Sequence, residues 1–164
     1  MSDLRMVSLA NAEAVTFDLL QTDVGLIDET QELASAVIVA LGTDRRALPD
    51  DELPNLDDDN RRGWWADHQC REIWDGWTIG ARIWLLERAK ITDSRTIGGS
   101  TLARAETYVR EALQPFVDHG IASRIMVEAA RTGINKIAVK ATLYRGPEPQ
   151  IQLQWQSLWD EIEA

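Results

Sequence analysis

The chain holds one cysteine, Cys70, and two histidines, His68 and His119, among its 164 residues. A single thiol closes no internal disulfide and supplies no Cys-based zinc set, and His68 has no second histidine one helical turn away. Long apolar runs are missing as well. No stretch of about 18 apolar residues occurs, which argues against a membrane-spanning helix. Met1-Ser2-Asp3-Leu4-Arg5 lacks the pattern of a secretory signal, so a soluble protein made in a reducing compartment is expected. Basic residues are also scarce: 17 Lys and Arg stand against 27 Asp and Glu, for a formal net charge of −10. A nucleic-acid binder needs cations to neutralise phosphates, and this balance points away from that class and from a membrane surface.

What remains is a chain of one-domain length, which buries roughly 70% of its unfolded surface without covalent staples. Tryptophan is unusually well represented, with 7 residues against 2 Tyr and 2 Phe. Such rings are enriched at protein–protein interfaces as well as in cores. Residues 1–16 have weak periodicity and read as a flexible N-terminal arm, and residues 17–164 as a single domain. Asp18-Leu19-Leu20 and Gly25-Leu26-Ile27 flank a candidate hairpin turn at Gln21-Thr22-Asp23-Val24. Thr30 is placed to cap a helix from Gln31, whose stripe of Leu33, Ala34, Val37, Ile38 and Leu41 ends at Gly42. Residues 43–78 are irregular, punctuated by Pro49 and Pro54, with six acids and no base between Asp50 and Asp59. A connection this long in a compact domain is usually functional or an interaction segment.

A second helix is expected over Thr78–Ala89, and a third over Thr101–His119. The third carries Leu102, Ala105, Val109, Ala112, Leu113 and Phe116 on one face, a kink near Pro115 and a stop at Gly120. From Ile121 the period becomes two. Ile125, Val127 and Ala129, then Ile137, Val139, Ala141 and Leu143, then Ile151, Leu153 and Trp155 alternate with other residues. That pattern predicts a C-terminal three-stranded antiparallel meander with one apolar face, covered by two or three helices, so the fold class is α+β.

Motifs for catalysis are sparse. There is no G-x-S-x-G elbow, neither histidine sits in a triad context, and Cys70 reads as a packed thiol. Gly98-Gly99-Ser100-Thr101 opens a helix without a P-loop lysine, so Ser100 or Thr101 reads as an N-cap. Asp57-Asp58-Asp59-Asn60 lacks the EF-hand spacing and reads as a solvated acidic loop. Glu87, Asp93 and Glu106 are the candidates for a glycosidase pair, yet no apolar setting marks one as a raised-pKa acid. No enzyme activity, metal or cofactor is expected. Trp84 reads as core, Arg82 and Glu87 as a local helix-surface pair. Trp64-Trp65 is either core or an aromatic anchor for a partner.

Three motifs occur in order: Thr43-Asp44-Arg45-Arg46-Ala47, then Arg61-Arg62-Gly63-Trp64-Trp65-Ala66-Asp67, then Ile79-Gly80-Ala81-Arg82-Ile83-Trp84-Leu85-Leu86-Glu87-Arg88-Ala89-Lys90. Followed by the long helix and the alternating strands, they resemble the family of phage Mu gene product forty-six, small tail proteins of Mu-like contractile phages. The resemblance runs from about Asp18 to Trp159. The N-terminal arm lies outside it, and the Gly98-Gly99 segment looks slightly longer than the family pattern.

The resemblance implies a non-enzymatic subunit of the tail baseplate wedge in a sixfold array, assembled in the host cytoplasm and located in the virion. It implies larger wedge subunits and the tail sheath as partners, with the central hub or spike proteins beyond them. Related wedge proteins look like a piece of the sheath subunit, so sheath assembly can begin on them by strand exchange. The expected partner-binding residues are Arg45, Arg46, Arg61, Arg62, Trp64 and Trp65, with the strand positions Ile151, Leu153 and Trp155. The arginines would pair with carboxylates on neighbouring subunits. Some relatives in the broader group carry a lysozyme label, which is not carried over because no convincing acid pair is present; a tail-associated peptidoglycan hydrolase is the alternative, and a soluble adaptor a third reading.

Overall fold

The computed structural model describes residues 6–10, 15–19, 32–55, 57–73, 75–89, 100–133, 136–147 and 149–158; in 6–10, 15–19 and 149–158, and at residue 32, only the backbone is described. The fold is α+β. Strand β1 (Met6–Ala10) pairs antiparallel with β2 (Val15–Leu19), Met6 opposite Leu19 and Ala10 opposite Val15. The segment expected to be an arm therefore contains a paired strand. The hairpin expected around Gln21–Val24 lies outside the described residues, as does Thr30.

Helix α1 (Glu32–Gly42) buries Val37, Ala40 and Leu41 on one side, with Ser35 also buried. Ile38, expected in that stripe, is only half-buried, and the next helix, α2 (Cys70–Ile73), is a single turn. The long helix α3 (Thr101–Asp118) starts where the Ser100 hydroxyl accepts the Ala103 N–H at 3.1 Å, an N-cap that satisfies one of the helix's orphan donors. Its buried face runs through Ala105, Tyr108, Val109, Ala112, Leu113 and Phe116. The helix continues through Pro115 to Asp118, and Gly120, at φ +70°, takes the left-handed conformation that closes it.

Strands β3 (Arg124–Arg131), β4 (Lys136–Tyr144) and β5 (Pro149–Leu158) form one antiparallel sheet with β4 in the middle. In β3, Val127 is buried and Ile125 and Ala129 half-buried, while Arg124, Met126 and Glu128 are exposed, so one face meets the core. In β4, Ala138 and Thr142 are buried alongside Ile137, Val139, Ala141 and Leu143, because small side chains on a central strand are shadowed by their neighbours. Helix α3 packs mainly on β3, and its Glu106 carboxylate accepts the Ala129 N–H at 2.9 Å. Thr132 donates to the Lys136 carbonyl, so by the register the Ala129 amide faces away from β4, and Glu106 occupies it there.

The helix expected over Thr78–Ala89 is not formed. Residues 77–80 take no regular secondary structure, and only Arg82–Leu86 coil, as a 3-10 turn. Two features explain this. Gly80 sits at φ +114°, and a Cβ there would come within 2.7 Å of the Arg45 nitrogen and the Thr43 oxygen. That close approach lets Ala81 bridge in parallel to Asp44, with Arg45 N–H donating to the Ala81 carbonyl at 3.1 Å and Ala81 N–H to the Thr43 carbonyl at 2.9 Å. The turn that follows buries Arg82, Trp84, Leu85 and Leu86, so it has no wet face for an amphipathic helix to present.

Candidate partner interface

The irregular segment is fixed in place by two arginines. The backbone from Asp57 to Gly63 turns on itself through side-chain caps: Asp58 Oδ1 accepts the Asn60 N–H and Asn60 Oδ1 accepts the Arg62 N–H, both at 2.9 Å. Arg62 and Gly63 follow at φ +49° and +111°, reversing the chain so that a Cβ on Gly63 would meet the Arg46 Cβ at 2.9 Å. The Arg62 guanidinium thereby reaches Asp44 at 2.8 Å and Glu87 at 3.2 Å, and lies 4.5 Å from the centre of the Trp84 ring. Burial pushes its pKa down, but the bonds and charges of Asp44 and Glu87 outweigh that, and the group sits above the ordinary arginine value.

Arg82 is the second anchor. Its side chain is 9% exposed, donates to Asp51 at 2.7 Å and to Glu111 of α3 at 2.5 Å, and lies 4.9 Å from the Tyr108 ring centre. Burial lowers its pKa, and the bonds to Glu111 and Asp51 raise it above the ordinary value. The expected surface pair of Arg82 with Glu87 is therefore corrected: Arg82 points inward to Asp51 and Glu111, and Glu87 belongs to Arg62. The signal was in the sequence, since a cation within Ile79-Gly80-Ala81-Arg82-Ile83-Trp84-Leu85-Leu86 has to be paired if its neighbours are buried.

The arginines expected to seek carboxylates on other subunits divide into two groups. Arg62 is committed within the chain. Arg61 donates through Nη1 to the Leu48 carbonyl and through Nη2 to that of Pro49 at 3.1 Å, while its own carbonyl accepts the Ala47 N–H. Arg45 and Arg46 have no side-chain hydrogen bond or ion pair among the described residues, although the Arg45 carbonyl accepts the buried Trp84 Nε1–H at 2.9 Å. Trp84 is core, as expected. Trp65 is 83% exposed, whereas Trp64 is half-buried beside it, their rings 5.4 Å apart and tilted by 55°. Leu48 and Ile73 are exposed large apolar residues of the same segment.

Arg45, Arg46, Ala47, Leu48, Pro49, Arg61, Asp67 and Thr78 line an open cleft of about 440 Å³. Asp67 enters it from the first turn of the 3-10 stretch Trp65–Gln69. Its Oδ2 accepts the Trp64 N–H at 3.3 Å, while Oδ1 is buried and has no donor among the described residues. Nothing in residue order singled out Asp67, because its place depends on the reversal at Arg62-Gly63. For Ile151, Leu153 and Trp155, the backbone register sets them opposite Leu143, Ala141 and Val139, whose side chains are buried, on a strand paired on one side with β4.

The acids considered for catalysis are held in the framework. Glu87 receives Arg62 and Glu106 receives the Ala129 amide, while Asp93 lies outside the described residues. No cluster of three or more His, Cys, Asp or Glu suited to a metal ion occurs among the described residues. No helix among them is long and apolar enough to cross a membrane.

The family described as "Phage protein GP46" matches residues 33–150, the stretch that carries both arginine anchors, the cleft, α3 and the β3–β4 pair. The chain is 39% identical over 112 residues to the "Baseplate protein gp46" of Escherichia phage Mu, an alignment spanning 68% of each protein. It is 32% identical over 112 residues to the "Mu-like prophage FluMu protein gp46" of Haemophilus influenzae, spanning 68% of this chain and 66% of that relative. With well over half its length matched and its anchored segment inside the match, the chain belongs to the phage GP46 family.

Proposed function

We propose that the chain is a structural, non-enzymatic subunit of the tail baseplate of a Mu-like contractile phage or prophage, built into the wedge beside larger subunits. The observation that carries this reading is its 39% identity to a protein named as a baseplate component of phage Mu. The anchored segment supports it physically. A surface that exposes Trp65, Leu48 and Ile73 on a rigidly held loop is an assembly surface in the making, since exposed aromatic anchors on pre-organised backbone favour protein partners. Arg45, Arg46, Trp64 and Trp65 form its centre, while Arg61 and Arg62 hold it in shape.

The second contact is the outer side of β5. A strand at the edge of a sheet can accept a strand from another chain, and the tail sheath is the proposed donor, with the hub or spike as more distant neighbours. The reading places the protein in the virion after assembly in the host cytoplasm. A peptidoglycan hydrolase finds no support in the acids, two of which already hold the fold together.

Quantitative mass spectrometry of purified intact tails tests the proposal. The chain is expected at a copy number that matches a sixfold ring. Tails that assemble fully without it overturn the structural role.

A further inference from the structure

The cleft beside Trp65 has a chemistry of its own, and the inference drawn from it rests on the assembly reading above. Its apolar wall is Ala47, Leu48 and Pro49; Arg61 is already bonded to the carbonyls of that wall and acts as a strut. One kind of polar group remains available. The Arg45 and Arg46 guanidiniums, ten donors between them, have no acceptor among the described residues. Asp67 Oδ1 has no donor among them either, but it is closed off from solvent and a docking group does not reach it.

From this arrangement we infer that the cleft seats an extended acidic segment of another protein. One carboxylate of the segment spans Arg45 and Arg46, and an apolar side chain beside it rests on Leu48 and Pro49. The size is in the range of clefts that hold a few residues of peptide. A planar guanidinium binds a carboxylate through two parallel bonds, which fixes the direction of the segment as well as its charge. The acidic run from Asp50 to Asp59 does not defeat this, for two physical reasons. Asp51 is taken up by Arg82 and the Leu48 amide. The other acids of the run make no bond to either arginine among the described residues and act through water, whereas a docked carboxylate acts in contact. The same run repels an acidic segment that lacks the apolar residue, so it sharpens the choice of partner.

The test uses the full chain and blocked hexapeptides of alternating leucine and aspartate, followed by tryptophan fluorescence and by NMR shifts. The aspartate peptide is expected to bind saturably with a Kd at or below about 1 mM. Two changes should each weaken it at least about tenfold: asparagine in place of aspartate, and Arg45→Gln with Arg46→Gln in the protein. Those two arginines make no side-chain bond among the described residues, so the double variant should keep the parental circular dichroism. Equal binding of the aspartate and asparagine peptides, tighter binding of a lysine peptide, or no saturation by about 10 mM overturns the inference. Selective binding by a chain that is absent from tails retires the baseplate reading and keeps the cleft. A chain present in tails without that selectivity does the reverse.

Discussion

Arg82→Ala is the sharpest perturbation the structure offers. The guanidinium is 9% exposed and bonds two carboxylates, Asp51 at 17% and Glu111 at 39% exposure. Removing one partner of a buried ion pair costs about 3–5 kcal/mol, because the remaining charge stays desolvated. Asp51 meets that description, keeping only the Leu48 N–H at 2.8 Å. Glu111 regains water, so its arm contributes little and the lower end of the range applies. Contact with the Tyr108 ring adds roughly 0.5–1 kcal/mol. The expected loss is about 3–4 kcal/mol, a large share of the roughly 5–15 kcal/mol that separates folded from unfolded states. At about 2–4 °C per kcal/mol for a chain of this size, Tm should fall by about 10 °C.

Urea titration followed by tryptophan fluorescence measures the loss directly. Arg82→Lys, which keeps the charge but loses the fork, should fall between the parent and the alanine variant. A double-mutant cycle with Asp51→Ala should return a coupling of at least about 1.5 kcal/mol, little changed by salt. Hydrogen exchange should quicken first at Leu48 and Asp51, the turn that Arg82 holds. A loss for Arg82→Ala below about 1 kcal/mol, or a coupling within error of zero, would refute the view that Arg82 anchors the irregular segment.

Other expectations are simpler. Gly80→Ala combines a φ of +114° with a 2.7 Å approach to backbone atoms, so it should destabilise by more than about 2 kcal/mol and abolish the Asp44–Ala81 bridge, as read by denaturation and amide exchange. Ser100→Ala removes the cap of α3 and should cost about 1 kcal/mol in the same titration, with Ser100→Thr or Ser100→Asp restoring most of it. Trp64→Ala with Trp65→Ala should leave the domain folded, with a stability loss far smaller than that of Arg82→Ala because Trp65 is 83% exposed, yet prevent incorporation into tails; normal tail yield removes these residues from the interface. Arg62→Ala should lose about 1–2 kcal/mol at low salt and less in 1 M NaCl, since its partners are 40% and 48% exposed and therefore partly screened.

Periodic elements were legible in the sequence. Helix α3 was recoverable from its apolar spacing and the cap at Ser100, and β3 from its alternation, because in both the pattern is set by neighbours within a few residues. The Thr78–Ala89 stretch misled for the opposite reason. Its apolar residues fit a helical spacing, but Gly80 fits under a backbone more than thirty residues earlier, and that contact has no local signature. The arginines show the same limit. Composition makes Arg61, Arg62, Arg45 and Arg46 equivalent, while the fold commits the first two to Leu48, Pro49, Asp44 and Glu87 and gives the others no side-chain partner among the described residues. Whether a cation serves its own chain or another depends on acceptors far away in the sequence. Asp67 became visible as a site residue only once the reversal at Arg62 and Gly63 was known.

The Glu106 carboxylate on the Ala129 amide has a further consequence for how copies of this fold meet. Sheets that can lengthen on both flanks polymerise without end, each molecule offering its neighbour what it has just accepted. Here one flank carries its own stopper. A strand arriving beside β3 must first evict a carboxylate from a charge-assisted bond of roughly 1.5–3 kcal/mol and push α3 aside. The molecule thus has one discouraged side, and a chain of such sheets meets resistance at its first repeat.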